Sequence, residues 1–172
     1  MPTLAEVNQQ ISKLEGVSTL GTRKEVTLLP DILTFDEAIL ALTTGYMEGK
    51  TWLVVCTDRR VIFLDHGFFY GLKHAEIPID KLSSVEHETG LFFGNISLWD
   101  GANKIIIRNI RKGTLRPFIR AVNEAIDLYK KGTPGKRSIV DELRKLADLK
   151  QEGFISYVEF ETLKSQLLEK SN

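Results

Sequence analysis

The chain has 172 residues, with 23 Lys plus Arg against 23 Asp plus Glu and a formal net charge of zero. At 42% hydrophobic and 27% charged residues it is too apolar for a disordered polymer and too charged for an integral membrane protein, and its length gives room for one core and an appendage. Apolar runs such as 52–56 and 61–64 fall far short of the roughly 20 residues a membrane-spanning helix needs. Residues 1–10 lack the basic, apolar and small-residue succession of a secretory signal, so the expected location is the cytoplasm.

Thr3 and Glu6 have capping-box spacing, and Leu4, Val7, Ile11 and Leu14 follow on one face, predicting an amphipathic helix over 3–15 that ends at Gly16. This stripe is too apolar to leave bare, and with only Lys13 on its basic side it suits packing on protein better than a membrane surface. Thr22 with Glu25 gives a second box and a short helix carrying Val26, Leu28 and Leu29, expected to stop before Pro30.

From Glu37 to about Asn109 the pattern changes to short β-rich runs divided by turn signals. Strands are expected over 38–44, 51–57, 61–65, 72–79, 82–89, 95–99 and 104–110, with turns over 45–50, at Asp58-Arg59 and at Asp100-Gly101, and a loop over 66–71. After Gly113 the period becomes helical. Thr114 is a candidate cap, Pro117 is tolerated in a first turn, and Leu115, Phe118, Ile119, Val122, Ala125, Ile126 and Tyr129 form one broad apolar face. Gly132, Pro134 and Gly135 mark a linker, after which two amphipathic segments, 138–151 and one opened by Ser156 with Glu159, read as a helical hairpin.

Seven strands in meander order closed by one amphipathic helix resemble the pleckstrin-homology (PH) architecture in its bacterial, YokE-like form. The stretches that carry the likeness are Leu42-Thr43-Thr44-Gly45, the hairpin Thr57-Asp58-Arg59-Arg60, Glu76-Ile77-Pro78-Ile79 and Thr89-Gly90-Leu91-Phe92-Phe93-Gly94. The resemblance implies a mainly β (α+β) fold: a PH-like seven-stranded β-sandwich or barrel capped by a C-terminal helix. Leu143-Arg144-Lys145-Leu146, Gly153-Phe154-Ile155-Ser156, Glu159-Phe160 and Leu167-Leu168 resemble the short C-terminal (SHOCT) domain, which implies self-association or tethering and no chemistry. Such modules are common in Gram-positive bacteria and their prophages, which suggests a phage or host-response context. The expected organisation is an N-terminal helix over 1–18, a PH-like domain over 19–131, a linker over 132–137 and a SHOCT-like hairpin over 138–172.

Charge is segregated: residues 1–102 carry a net −6, residues 103–137 a net +8 and residues 138–172 a net −2. The basic block offers Arg108, Arg111, Lys112, Arg116 and Arg120 as an anion-binding set, which in a neutral chain is read first as attracting an acidic surface of its own chain or of a neighbouring copy. It lacks the aromatic interleaving of a single-strand nucleic-acid platform. Three consecutive aromatics, Phe68, Phe69 and Tyr70, cannot all face inward from a strand of period two. They are read as a plug for one barrel end, a partner interface or a lipid wedge, with Phe92 and Phe93 as further interface candidates. The first hairpin loop, with Glu48 and Lys50, lacks the basic cluster of PH domains that read inositol phosphates, so phosphoinositide binding is not expected.

A catalytic site needs a nucleophile, a base and an orienting group within reach, or a metal cluster, and no such set stands out. Cys56, within an apolar strand, reads as a small buried hydrophobe; His66, His74 and His87 lack zinc-module spacing; Gly90 and Gly94 read as turn residues. No enzyme, cofactor or metal is expected. The hairpin is too small to fold without a staple and must bury Leu143, Leu146, Phe154, Ile155, Phe160, Leu163 and Leu167 on its own chain or on other copies. The leading expectation is a binding and assembly protein that homo-oligomerises through Leu4, Val7, Ile11, Leu14 and those hairpin residues and engages an unidentified protein. A peripheral adaptor on anionic lipid, using 104–137 with loop 66–71, and a nucleic-acid-binding regulator are the alternatives.

Overall fold

The computed structural model describes residues 1–19, 21–67, 71–101, 103–130, 139–151 and 153–169. They fall into two compact units, 1–132 and 133–172. The first opens with helix α1, Leu4–Ser12, whose capping box forms as the sequence predicts: the Glu6 N–H donates to Thr3 Oγ1 at 3.3 Å and the Thr3 N–H to Glu6 Oε2 at 2.7 Å. Helix α2, Arg23–Ile32, differs from expectation at both ends. Thr22 makes no side-chain cap bond and is fully buried instead. The helix also runs through Pro30. A proline one turn from a helix end removes a single intrahelical bond, and burial of Leu29 and Leu33 beside it, with the Leu33 N–H closing on Leu29 O at 2.8 Å, offsets that loss.

Seven strands follow: β1 Ile39–Met47, β2 Lys50–Thr57, β3 Arg60–Gly67, β4 Gly71–Pro78, then, after a 3-10 turn at Ile79–Lys81, β5 Leu82–Thr89, β6 Phe93–Asp100 and β7 Asn103–Arg111. The expected loop at 66–71 is shorter, since His66, Gly67 and Gly71 belong to strands; Phe68, Phe69 and Tyr70 lie outside the described residues. Strand β1 likewise continues past Gly45, and the turn narrows to Glu48-Gly49, both at positive φ. All neighbours are antiparallel, in the order β4-β3-β2-β1-β7-β6-β5. Strand β1 pairs with β2 along nearly its whole length but meets β7 at Tyr46 opposite Arg108, and there the sheet turns a corner into two layers. Gly45 permits that corner, because a Cβ on it would lie 2.2 Å from Ile107 Cγ2.

Helix α3, Lys112–Lys130, covers the inside of the corner. It begins before Gly113 rather than after it, so Thr114 is not a cap. Its buried hydroxyl sits in the first turn, 2.6 Å from Thr43 Oγ1, and donates to Arg111 O at 3.0 Å. Leu115, Phe118, Val122 and Ile126 of α3 close the main core against Val54, Phe63, Ile96 and Ile107. A second core lies on the other face of the first layer, where Leu53, Val55, Ile62 and Leu64 pack against Val7, Leu29 and Leu33 of the N-terminal segment. Strands β2 and β3 are therefore buried on both faces, which is why 52–56 and 61–64 are unbroken apolar runs rather than alternating ones.

A largely buried ion pair fastens this second core. The Glu37 carboxylate accepts from Arg60 Nε at 2.9 Å and Nη2 at 2.8 Å, from Thr57 Oγ1 at 2.9 Å and from the Thr34 N–H at 2.9 Å. Arg60 Nη2 also donates to Ile32 O at 2.9 Å, and Nη1 pairs with Glu76. From α1, Gln10 accepts the Ile39 N–H at 2.8 Å. Burial pushes the Glu37 carboxyl up, but its bonds to Arg60 and Thr34 outweigh this and hold it below the usual range.

The second unit holds helix α4, Ile139–Gln151, and helix α5, Tyr157–Glu169, joined through Gly153 at φ +79°. The predicted Ser156–Glu159 box forms: the Glu159 N–H donates to Ser156 Oγ at 3.3 Å and the Ser156 N–H to Glu159 Oε2 at 2.8 Å. The predicted linker falls outside the described residues.

Candidate interaction surface

At the turn between β5 and β6 the Gly90 N–H donates to Phe93 O at 2.8 Å, tying the hairpin end tightly. Three consecutive large apolar side chains stand out from it, Leu91 at 79%, Phe92 at 72% and Phe93 at 52% exposure. Next to them lies the start of α3, whose Lys112 N–H donates to Phe92 O at 3.2 Å, while Phe93 sits opposite Arg111 of β7. The position of α3 is fixed by Gly94, where a Cβ would meet Leu115 Cδ2 at 2.7 Å and Glu88 O at 2.5 Å. Arg116 is one helical turn beyond Lys112.

Arg108, Arg111, Lys112 and Arg116 are exposed and form no ion pair among the described residues. Arg120 is different, with Nη2 3.0 Å from Glu15 Oε2. Arg108 lies opposite Tyr46 at the corner of the sheet. The fold thus places Phe92 and Phe93 beside Arg111 and Lys112, a proximity that the linear spacing of the basic block does not show. Leu91 is the residue missed at this surface. The pattern that exposes it, an apolar triplet between Gly90 and Gly94, is the same one that singled out 68–70.

The N-terminal stripe is spent within its own chain: Val7 is fully buried, Ile11 and Leu14 pack on the second core, and Leu4 is 40% exposed. On the hairpin, Leu143, Leu146, Ile155 and Phe160 are half-buried, Leu163 is near the surface, and the side chain of Leu167 lies outside the described residues. Phe154, Tyr157 and Val158 are exposed by 74%, 64% and 73%, the last two unforeseen from the helical pattern. Lys150 Nζ lies 4.7 Å from the centre of the Tyr157 ring.

Cys56 is fully buried, and burial, assisted by the nearby Asp58 charge, pushes its thiol up to about 12, so it is not a nucleophile at neutral pH. No group of three His, Cys, Asp or Glu among the described residues is placed to hold a metal, and no described helix is long and apolar enough to cross a membrane.

Two layers of antiparallel strands set at a corner and covered by a C-terminal helix define a PH-like domain. The chain belongs to the Bacterial PH domain family, whose model matches residues 33–124. A protein of Archaeoglobus fulgidus described as uncharacterized is 24% identical over 159 residues, covering 72% of this chain and 84% of its own. Among solved structures, a pleckstrin homology domain from Shewanella amazonensis is similar at 18% identity and a TM-score of 0.46, covering 60% of this chain and 96% of its own. A DUF1696 family protein with a pleckstrin-homology domain from Shewanella loihica is similar at 21% identity and a TM-score of 0.42, covering 64% of this chain and 98% of its own.

Proposed function

We propose that this chain is a non-catalytic binding and assembly protein, in which the PH-like body presents protein-binding surfaces and the C-terminal hairpin joins copies into a homo-oligomer. The observation that carries the reading is the exposure of Phe154, Tyr157 and Val158 in the hairpin of α4 and α5. Two helices of 13 residues each offer less core than the roughly 40 residues at which domains usually fold without a disulfide, a metal or a partner. The one cysteine of the chain is in the body, so a disulfide within the hairpin is ruled out. A second copy supplies the missing apolar surface, in keeping with the SHOCT-like sequence of the segment.

Light scattering coupled to size exclusion tests this on the full chain. The native protein is expected at a multiple of its 19.5 kDa chain mass, and a Phe154→Ser, Val158→Glu double variant at the single-chain value. A native protein that is monomeric at micromolar concentration contradicts the proposal.

A further inference from the structure

Leu91, Phe92 and Phe93 are exposed side by side at a hairpin end, and a contiguous apolar projection of this kind on a folded domain marks a contact surface rather than packing. We propose that the β5–β6 turn and the start of α3 form a docking site for an anionic lipid bilayer. Leu91 and Phe92 enter the headgroup–acyl boundary, while Arg111, Lys112 and Arg116 meet lipid phosphates around them.

Three features favour a bilayer over other partners. The apolar residues sit at the exposed end of a hairpin, a position suited to a fluid surface that closes around them. Two of the cations adjoin that turn, through the Lys112–Phe92 backbone bond and the Phe93–Arg111 pairing, so that charge and apolar surface lie together. Those cations are also free to take phosphate, whereas Lys50, beside the β1–β2 turn, already pairs with Asp65 at 3.1 Å. The nearest acid along the chain, Glu88, lies one strand position before Thr89 and accepts from Asn95 Nδ2 at 3.4 Å. Single-stranded nucleic acid needs a charged groove that follows its backbone, and a compact cluster of three cations does not provide one. A short wedge or a few charges alone bind membranes only marginally, but the two signals together give reversible attachment.

The site differs from the assembly surface, and the experiment keeps the two apart. Full-length protein is sedimented with phosphatidylglycerol vesicles or with phosphatidylcholine vesicles, in the native sequence and in the Val158→Glu background, so that loss of self-association is not mistaken for loss of lipid contact. Binding to phosphatidylglycerol vesicles only is expected, weakening about five-fold for each of Arg111→Gln, Lys112→Gln and Arg116→Gln. Leu91→Ser with Phe92→Ser should abolish it, and a Phe92→Trp chain should show a blue-shifted emission on adding the same vesicles. Since all these side chains are exposed, the variants should fold. Absence of sedimentation by the native chain, or sedimentation unaltered by the tip variants, overturns the proposal. So does tip-dependent binding of a single-stranded oligonucleotide or an acidic polypeptide by a chain that ignores the vesicles.

Discussion

The N-terminal and C-terminal segments are both helical and both carry large apolar side chains, yet one set is covered and part of the other is not. On α1 the stripe closes over strands of its own chain, with Val7 fully buried. On the hairpin, Phe154, Tyr157 and Val158 are largely open to solvent. Spacing specifies a stripe, and the stripe of α1 is covered because the sheet of its own unit has a second apolar face to offer. Here β2 and β3 have one, in Leu53, Val55, Ile62 and Leu64, and the N-terminal helices complete it.

The sharpest way to break this contrast is to place a charge on one covered and one open apolar residue. Val7→Asp buries an unpaired carboxylate and should destabilise the body by about 4 kcal/mol in a denaturant melt. Val158→Glu should leave the melt of the body within about 0.5 kcal/mol while abolishing self-association in light scattering. If Val7→Asp folded with native stability, the stripe of α1 would not be core.

Next in size is the fastening at Glu37. Glu37→Ala strips Arg60 of its main buried partner and should cost about 3 kcal/mol in the same melt, whereas a change near zero would mean that the pair is dispensable. The acid dependence follows from the same group. Because the folded protein holds Glu37 below its ordinary value, its contribution is complete above the usual glutamate range and is lost as pH falls through the lowered folded-state value. Asp58 has the opposite sign: burial raises its carboxyl, although it accepts the Ala38 N–H, so protonation on acidification favours the folded state. Thermal midpoints should therefore fall less with acid in Glu37→Gln and more in Asp58→Asn than in the native chain. Parallel profiles for all three would refute these assignments.

Much of the architecture was legible in residue pattern because local chemistry and tertiary fold agree there. The Thr3–Glu6 and Ser156–Glu159 boxes form, and strand β5 has the predicted limits. The departures arise where a tertiary contact outweighs a local rule. Pro30 remains helical beside buried Leu29 and Leu33, and the Thr114 hydroxyl pairs with that of Thr43 across the core rather than serving as a cap. The candidate surfaces were legible in part. Phe92, Phe93 and the cations of the block could be picked out singly, but their meeting depends on β5–β6 and β6–β7 registers that spacing does not reveal.

The most direct measurement is the absolute mass of the full chain in solution, beside that of the Phe154→Ser, Val158→Glu variant. A native oligomer that the variant reduces to 19.5 kDa is the predicted result. A single-chain mass for both would show that the hairpin needs no second copy and would contradict the assembly role.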